Sequence, residues 1–292
     1  MSSLDIAQNS ARFGSYCSRA ATHPGPRGRH NEDAYLNRPD LGLWVVADGA
    51  GGHQSGEVAS AEVVGLLETI EPGLSAVDML QEVRARLEMA HSRLREAASR
   101  RGGGTIMATT AVVVLARGDH FACLWVGDSP AYLLRGNTLT KITRDHSLVQ
   151  DLVDNGIISE RDATHHPQSN IITRAVGADA EPLELDKRTG QLLVGDRLLL
   201  CSDGLSKVVS KEQIAELLAA GGEAGAERLV KAAVEAPATD NVTALIIDFD
   251  TDDGPVTVET STPAPTPRST DVCASADEHG GTTHDDGAAV GT

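Results

Sequence analysis

Residues 43–60 read LWVVADGAGGHQSGEVAS. The first five, Leu43 to Ala47, are apolar and rich in β-branched and aromatic types, as a buried strand requires. Asp48 follows at once, and then a glycine-rich turn. From Ser55 a helical period begins, and Val58, Ala61, Val64, Leu67 and Ile70 fall on one side of it. A carboxylate thus stands where a buried strand ends, a costly place unless it is solvated, paired or bound to a cation. The glycines let the backbone turn tightly, so that a carbonyl can face whatever the carboxylate holds. Asp-Gly is also common in ordinary turns, and the stretch alone decides little about chemistry.

The arrangement recurs along the chain. Glu32 and Asp33 lie in RHNEDAYL (29–36), Asp128 in CLWVGDSPAYL (123–133), Asp203 in RLLLCSDGL (197–205) and Asp240 in ATDNVTALII (238–247). Each carboxylate stands beside an apolar, strand-like run, next to a small or amide residue. Together they suggest one acidic pocket built for hard cations. Oxygen donors of this kind suit magnesium or manganese, whereas zinc favours closely spaced Cys and His. His165–His166 is the one tempting pair, and Pro167 after it marks a loop.

The rest of the body alternates strands with helices. Thr109 to Ala116, Phe121 to Val126, Ala131 to Arg135, Leu198 to Cys201 and Val242 to Phe249 read as strands. Gly118–Asp119 offers a hairpin turn between two of them. Ala76 to Arg101 reads as a long amphipathic helix, capped by Ser75 or Asp78 and ended by Gly102–Gly103–Gly104. Lys211 to Ala220 and Glu223 to Glu235 read as two more. Strands joined by short turns, with paired helices set apart, predict an α+β fold with antiparallel sheets.

The chain has 292 residues, is 40% hydrophobic and carries a net charge of −17. Such an acidic balance argues against nucleic-acid binding through the phosphate backbone. It leaves a phosphorylated substrate open, because a bound metal reverses the local sign. Cys17, Cys123, Cys201 and Cys273 form no Cys-x-x-Cys pair, which fits a reducing cytoplasm. No apolar run is long enough to span a bilayer, and MSSLDIAQNSARFG lacks a signal-peptide core. After Asp250 the composition turns to Thr, Pro, Ala, Gly, Ser and Asp. The expected organisation is therefore a domain over 1–250 and a disordered acidic tail over 251–292.

Eight blocks in this order resemble the PP2C-type (PPM) metal-dependent protein phosphatases in their bacterial form. They are PRGRHNEDA, VVADGAGGHQSGEVAS, TTAVVV, VGDSPAYLLR, TRDHSLVQ, NIITRAVGA, LLLCSDGLSKVVS and ATDNVTALII, spanning Thr22 to Phe249. The resemblance implies two packed antiparallel sheets flanked by helices on both faces, an αββα sandwich. It implies hydrolysis of phosphoserine and phosphothreonine in proteins by a metal-activated bridging water, opposing a bacterial serine/threonine kinase. Two Mn2+ or Mg2+ ions are implied, and a third, weaker one. Asp48 would bridge the two ions. Asp203 and Asp240 would join it on the first, and Glu32 and the Gly49 carbonyl would hold the second. Asp128 with Asp203 matches the third-ion site. Asp33 would orient the phosphate region or a metal-bound water. Phosphorylated proteins and a cognate kinase are the implied partners, and nothing demands more than a monomer.

The chain departs from the family in places. Gly28 stands where members carry a phosphate-binding Arg. Arg27 and Arg29 flank it, and either could take the role, Arg27 by preference; the other reading is that both are solvent-facing loop arginines. Ala50 stands where eukaryotic members carry a general-acid His. His53, nearby, either contacts substrate or metal water, or caps the following helix. Pro130 replaces the Arg often found after Gly-Asp-Ser. Leu152 to Gly177 matches a flap, with Asn170 and Arg174 as residues that hold it. HHPQSNIITRAVGA (165–178) resembles phosphatases associated with type VI secretion. A catalytically silent module would have lost ligand carboxylates, and a nuclease would need a basic groove.

Overall fold

The computed structural model describes residues 6–13, 15–25, 30–51, 55–102, 104–163, 165–178, 182–236, 239–250 and 258–259. In chain order the elements begin with the hairpin β1 (Ala7–Phe13) and β2 (Tyr16–His23), then β3 (Asp33–Arg38) and β4 (Leu43–Ala50). Two helices follow, α1 (Ser55–Glu68) and α2 (Ala76–Arg101). Next come β5 (Ala108–Thr109), β6 (Ala111–Arg117), β7 (His120–Val126), β8 (Ala131–Arg135) and β9 (Thr138–Lys141). The short helices α3 (Leu148–Asp154) and α4 (Glu160–Ala163) lead to β10 (Asp186–Gln191) and β11 (Arg197–Cys201). The turn-length α5 (Asp203–Ser206), then α6 (Lys211–Ala220), α7 (Gly225–Glu235), β12 (Val242–Phe249) and β13 (Val258–Glu259) complete the set.

The strands form two sheets with antiparallel pairing throughout. One runs β13-β1-β2-β12-β11-β8-β9, and the other runs β10-β7-β6-β4-β3 with β5 added beside β4. Period-2 alternation sorts the side chains into three apolar layers. Trp44 and Val46 of β4 face inward, with Val112, Val114 and Trp125, against Tyr16, Leu198, Leu200, Leu245 and Ile247 of the facing sheet. Their neighbours Leu43, Val45 and Ala47 face the other way and pack on Val63 and Leu67 of α1 and on Met79, Val83 and Leu87 of α2. The outer face of the second sheet, with Leu199, Ala244 and Ile246, is covered by Ile214 and Leu218 of α6 and Leu229 and Val230 of α7. Layers run helix, sheet, sheet, helix, the expected sandwich. Strands buried on both faces explain why β4, β6 and β12 read as unbroken apolar runs.

Some boundaries differ from the sequence reading. The strand expected over Thr109 to Ala116 is two, because Thr110 leaves the ladder and donates its N–H to the Asp48 carbonyl at 2.8 Å. Of the two candidate caps of α2, Ser75 accepts from the Asp78 N–H at 3.2 Å. The strands β1, β2, β3, β9 and β10 escaped notice because their sequences are polar. Val258–Glu259 pair with β1, so a short strand lies within the stretch expected to be tail; its other residues lie outside the described set. Among the described residues no helix is long and apolar enough to cross a membrane.

Candidate active site

Pairing register builds the centre. Asp33 opens β3 directly opposite Asp48 on β4, so two carboxylates meet across one pair of strands. The strand does not stop at Asp48, as the sequence suggested. It continues through Gly49 and Ala50, which pair with Thr109 and Ala108. The Asp48 N–H donates to Thr110 Oγ1 at 3.0 Å, and its carbonyl accepts from Thr109 Oγ1 at 2.9 Å. The backbone around Asp48 is therefore fully engaged, which fixes where its side chain points.

Asp33 is buried. Its Oδ2 accepts from Ser202 Oγ and from Thr243 Oγ1, both at 2.7 Å. These hydroxyls come from the end of β11 and from β12, so Asp33 fastens one sheet to the other. Its Oδ1 is buried without a hydrogen-bond partner, an arrangement that asks for a donor such as water. Asp203 follows Ser202 at the start of α5, and Asp240 stands just before β12.

Glycines allow the elements to close on one another. The Gly49 N–H donates to the Glu32 carbonyl at 3.1 Å, and a Cβ at Gly49 would lie 2.1 Å from the Gly56 carbonyl oxygen. Asn241 accepts from the Glu32 N–H at 2.8 Å and donates to the Pro24 carbonyl at 2.9 Å. It thereby clamps the Glu32 loop beside Asp240. A Cβ at Gly204 would lie 2.0 Å from the Asn241 carbonyl oxygen. Gly204→Ala should therefore push this clamp away and lower stability by about 1–3 kcal/mol in urea unfolding, with a matching loss of activity. An unchanged unfolding midpoint would contradict the close approach.

Asp128 is buried at the loop after β7. Gly127 before it has φ +103°, its N–H donates to His146 Nδ1 at 3.1 Å, and its carbonyl accepts from the His146 N–H at 2.9 Å. The His146 carbonyl in turn accepts from the Thr173 N–H at 2.8 Å. The segment 165–178 is thus tied to the Asp128 loop. Arg174 of that segment reaches Asp186 at 3.5 Å, and Asn170 Oδ1 accepts from Lys207 Nζ at 2.8 Å.

The electrostatics are those of crowded carboxylates. Burial, then the charges of Asp203 and Asp240, push Asp33 up to about 7 against its two hydrogen bonds. Burial, then Asp33, Asp203, Asp128 and Asp240, hold Asp48 well above the usual carboxylate range. Burial and Asp203 raise Asp128 to about 7, with Lys207 pulling the other way. Glu32 is raised by burial and by Asp240 and Glu57. Each of these groups feels Asp203 or Asp240, and Asp48 feels both with Asp33 and Asp128, so the fold brings them to one centre. Among the described residues no three Asp, Glu, His or Cys side chains already stand as a ready ligating cluster. Lys207 contacts Asp203 Oδ2 and stands 3.7 Å from Asp128 Oδ2. The donor chemistry is all oxygen and strongly negative, and it fits hard dications.

The family description "Protein phosphatase 2C" matches residues 25–236. The chain belongs to this family. Its relatives include the serine/threonine protein phosphatase PstP of Mycobacterium tuberculosis, 39% identical over 208 residues, 70% of this chain and 40% of PstP. The chain thus spans well under half the length of that relative. The serine/threonine phosphatase Stp of Listeria welshimeri is 33% identical over 76% of this chain and 92% of its own length. Among solved structures, PppA, described as a key regulatory component of T6SS in Pseudomonas aeruginosa, is 40% identical with a TM-score of 0.75, covering 82% of this chain and all of PppA. The catalytic domain of PstP in complex with two manganese ions is 33% identical with a TM-score of 0.68, covering 84% of this chain and 100% of that one.

Of the site residues expected in this protein phosphatase 2C chain, Glu32, Asp33, Asp48, Gly49, Asp128, Asp203 and Asp240 come together. Arg27, Arg29 and His53 lie outside the described residues. The sequence reading missed Lys207, Ser202, Thr243 and Asn241. Lys207 carried a signal, since it follows Asp203 by four positions where a turn of helix begins. Ser202 and Thr243 carried none, because a serine and a threonine in strands look structural.

Proposed function

We propose that this chain hydrolyses phosphoserine and phosphothreonine in proteins with two divalent cations, manganese or magnesium, and opposes a serine/threonine kinase. The observation that supports it most is the meeting of Asp33, Asp48 and Asp128, each buried and held above the usual carboxylate range, with the charges of Asp203 and Asp240 beside them. In this reading Asp48, Asp203 and Asp240 hold one ion, and Asp48, Glu32 and the Gly49 carbonyl hold the other. Such cations, when bound, supply a water acidic enough to attack near neutral pH and offset the charge of the phosphate. Asp33 does not need to ligate. With Oδ2 fixed by two hydroxyls, its free Oδ1 is oriented to accept a proton donor from the reacting water. Asn241 keeps Glu32 in place. Arg27 or Arg29 grips the phosphate oxygens, where a planar fork gives bidentate contact.

A cysteine nucleophile is disfavoured. Cys201, two residues before Asp203, is fully buried in β11, and burial pushes its thiol far above the range where a thiolate forms. The likeness of residues 165–178 and the 40% identity with PppA argue for testing phosphorylated components of type VI secretion among the substrates.

The test is release of phosphate from a phosphothreonine peptide with Mn2+, and its loss with EDTA. Turnover that survives EDTA would overturn the reading. In the same assay Arg27→Ala and Arg29→Ala should differ, one raising KM by about tenfold, the loss of a charge-assisted contact, and the other near wild type. Equal, unchanged KM values would move the phosphate grip elsewhere.

A further inference from the structure

Lys207 is the cation of the carboxylate centre. Its ammonium contacts Asp203 Oδ2, stands 3.7 Å from Asp128 Oδ2 and donates to Asn170 Oδ1 at 2.8 Å. The side chain is 34% exposed, enough for water to reach it but too little for free rotation. The same two carboxylates are those that the family resemblance assigns to a third, weaker ion. An ammonium and a dication cannot both occupy the gap between Asp203 and Asp128, because each would repel the other at contact range in a weakly screened site. The ammonium has the advantage, since its tether to the backbone one turn from Asp203 keeps its local concentration high.

We propose that Lys207 takes the place of the third cation in this chain, leaving a centre for two ions. We infer too that it is a positioning residue. Its contact with Asn170 links the 165–178 segment to the start of α5, so one charge neutralises Asp128 and Asp203 and also holds that segment against the centre. A metal at that position would be exchangeable and sensitive to ion concentration. A lysine is neither, and the segment's docking becomes independent of metal supply. The inference rests on the two-ion reading of Asp48, Asp203, Asp240 and Glu32.

Counting bound Mn2+ by calorimetry and by elemental analysis after equilibrium dialysis tests it. The wild-type chain should take two ions. Lys207→Gln keeps a hydrogen-bonding side chain without the charge, and Lys207→Asp adds a donor. Both should gain a third, weaker ion, and Lys207→Arg should stay at two. In Lys207→Asp, adding Asp128→Asn should abolish the gain. Hydrogen exchange in residues 165–178 should rise in Lys207→Gln without metal and stay near wild type in Lys207→Arg. A third ion in the wild type, or two ions in both Lys207→Gln and Lys207→Asp, overturns the proposal while leaving the two-ion reading intact. A wild type that takes no ion overturns that reading first, and this inference falls with it.

Discussion

Asp203→Ala and Asp240→Asn each lower turnover of a phosphothreonine peptide by about a thousandfold or more, while the fold persists. Both aspartates are set at the edge of the core rather than inside it, at the start of α5 and ahead of β12. Both face like charges, so losing Asp240 relieves repulsion in the ion-free protein, whereas losing Asp203 also gives up its ion pair with Lys207. The packing of β11 and β12 on their neighbours rests on Leu199, Leu200, Leu245 and Ile246, which neither substitution touches. The expected signature is therefore an inactive protein that still unfolds cooperatively in EDTA, with the Asp240→Asn midpoint at or above that of wild type. Phosphate release at wild-type rate in both variants would remove these residues from the chemistry.

In EDTA the protein loses stability as pH rises from about 4 to about 7 and beyond, and Mn2+ restores it at the upper end. Asp33 and Asp128 are held up to about 7 and Asp48 is held well above its usual range, whereas in the unfolded chain a carboxylate titrates near ~3.9. A group raised on folding favours the fold fully below the unfolded value and ceases to do so as pH passes the folded value. The window therefore lies between about 4 and 7 and extends above it for Asp48. Asp40, lowered by its bonds to Arg38, acts in the opposite sense at more acidic pH and does not enter this window. A loss on the order of 3 kcal/mol would shift Tm by roughly 5–10 °C in a domain of this size. The check is a thermal melt across pH with EDTA and with Mn2+. A Tm in EDTA that holds steady or climbs over that range would contradict the burial and crowding assigned to Asp33, Asp48 and Asp128.

Much of this was legible in the residues because the fold writes its site at the borders of apolar runs. Asp48 after LWVVA, Asp203 after LLLCS and Asp240 before VTALII are charges placed where a core ends, and they could be found without coordinates. Less legible were the strands whose outer positions are polar. AQNSARF and DKRTGQ have neither alternation nor β-branched weight, and they are edge or near-edge members of their sheets. Least legible was the fastening of the centre. The hydroxyls on Asp33 lie 169 and 210 positions away in the chain, and the amide on Glu32 lies 209 away. No local period encodes such pairings; they arise only when the sheets close.

The place of β12 has a consequence for how the chain is made. It sits between β2 and β11, with antiparallel pairing on both sides, in the middle of its sheet. Both β2 and β11 precede in the chain the strand that joins them, so on the ribosome they emerge before it. Until Val242–Phe249 leaves the exit tunnel, the β1–β2 hairpin has an open edge, the feature that recruits foreign strands. Asp240 and Thr243 arrive with that same strand, so the reaction centre is finished in the step that seals the sheet. A chaperone that shields sheet edges would matter most until that strand is in place.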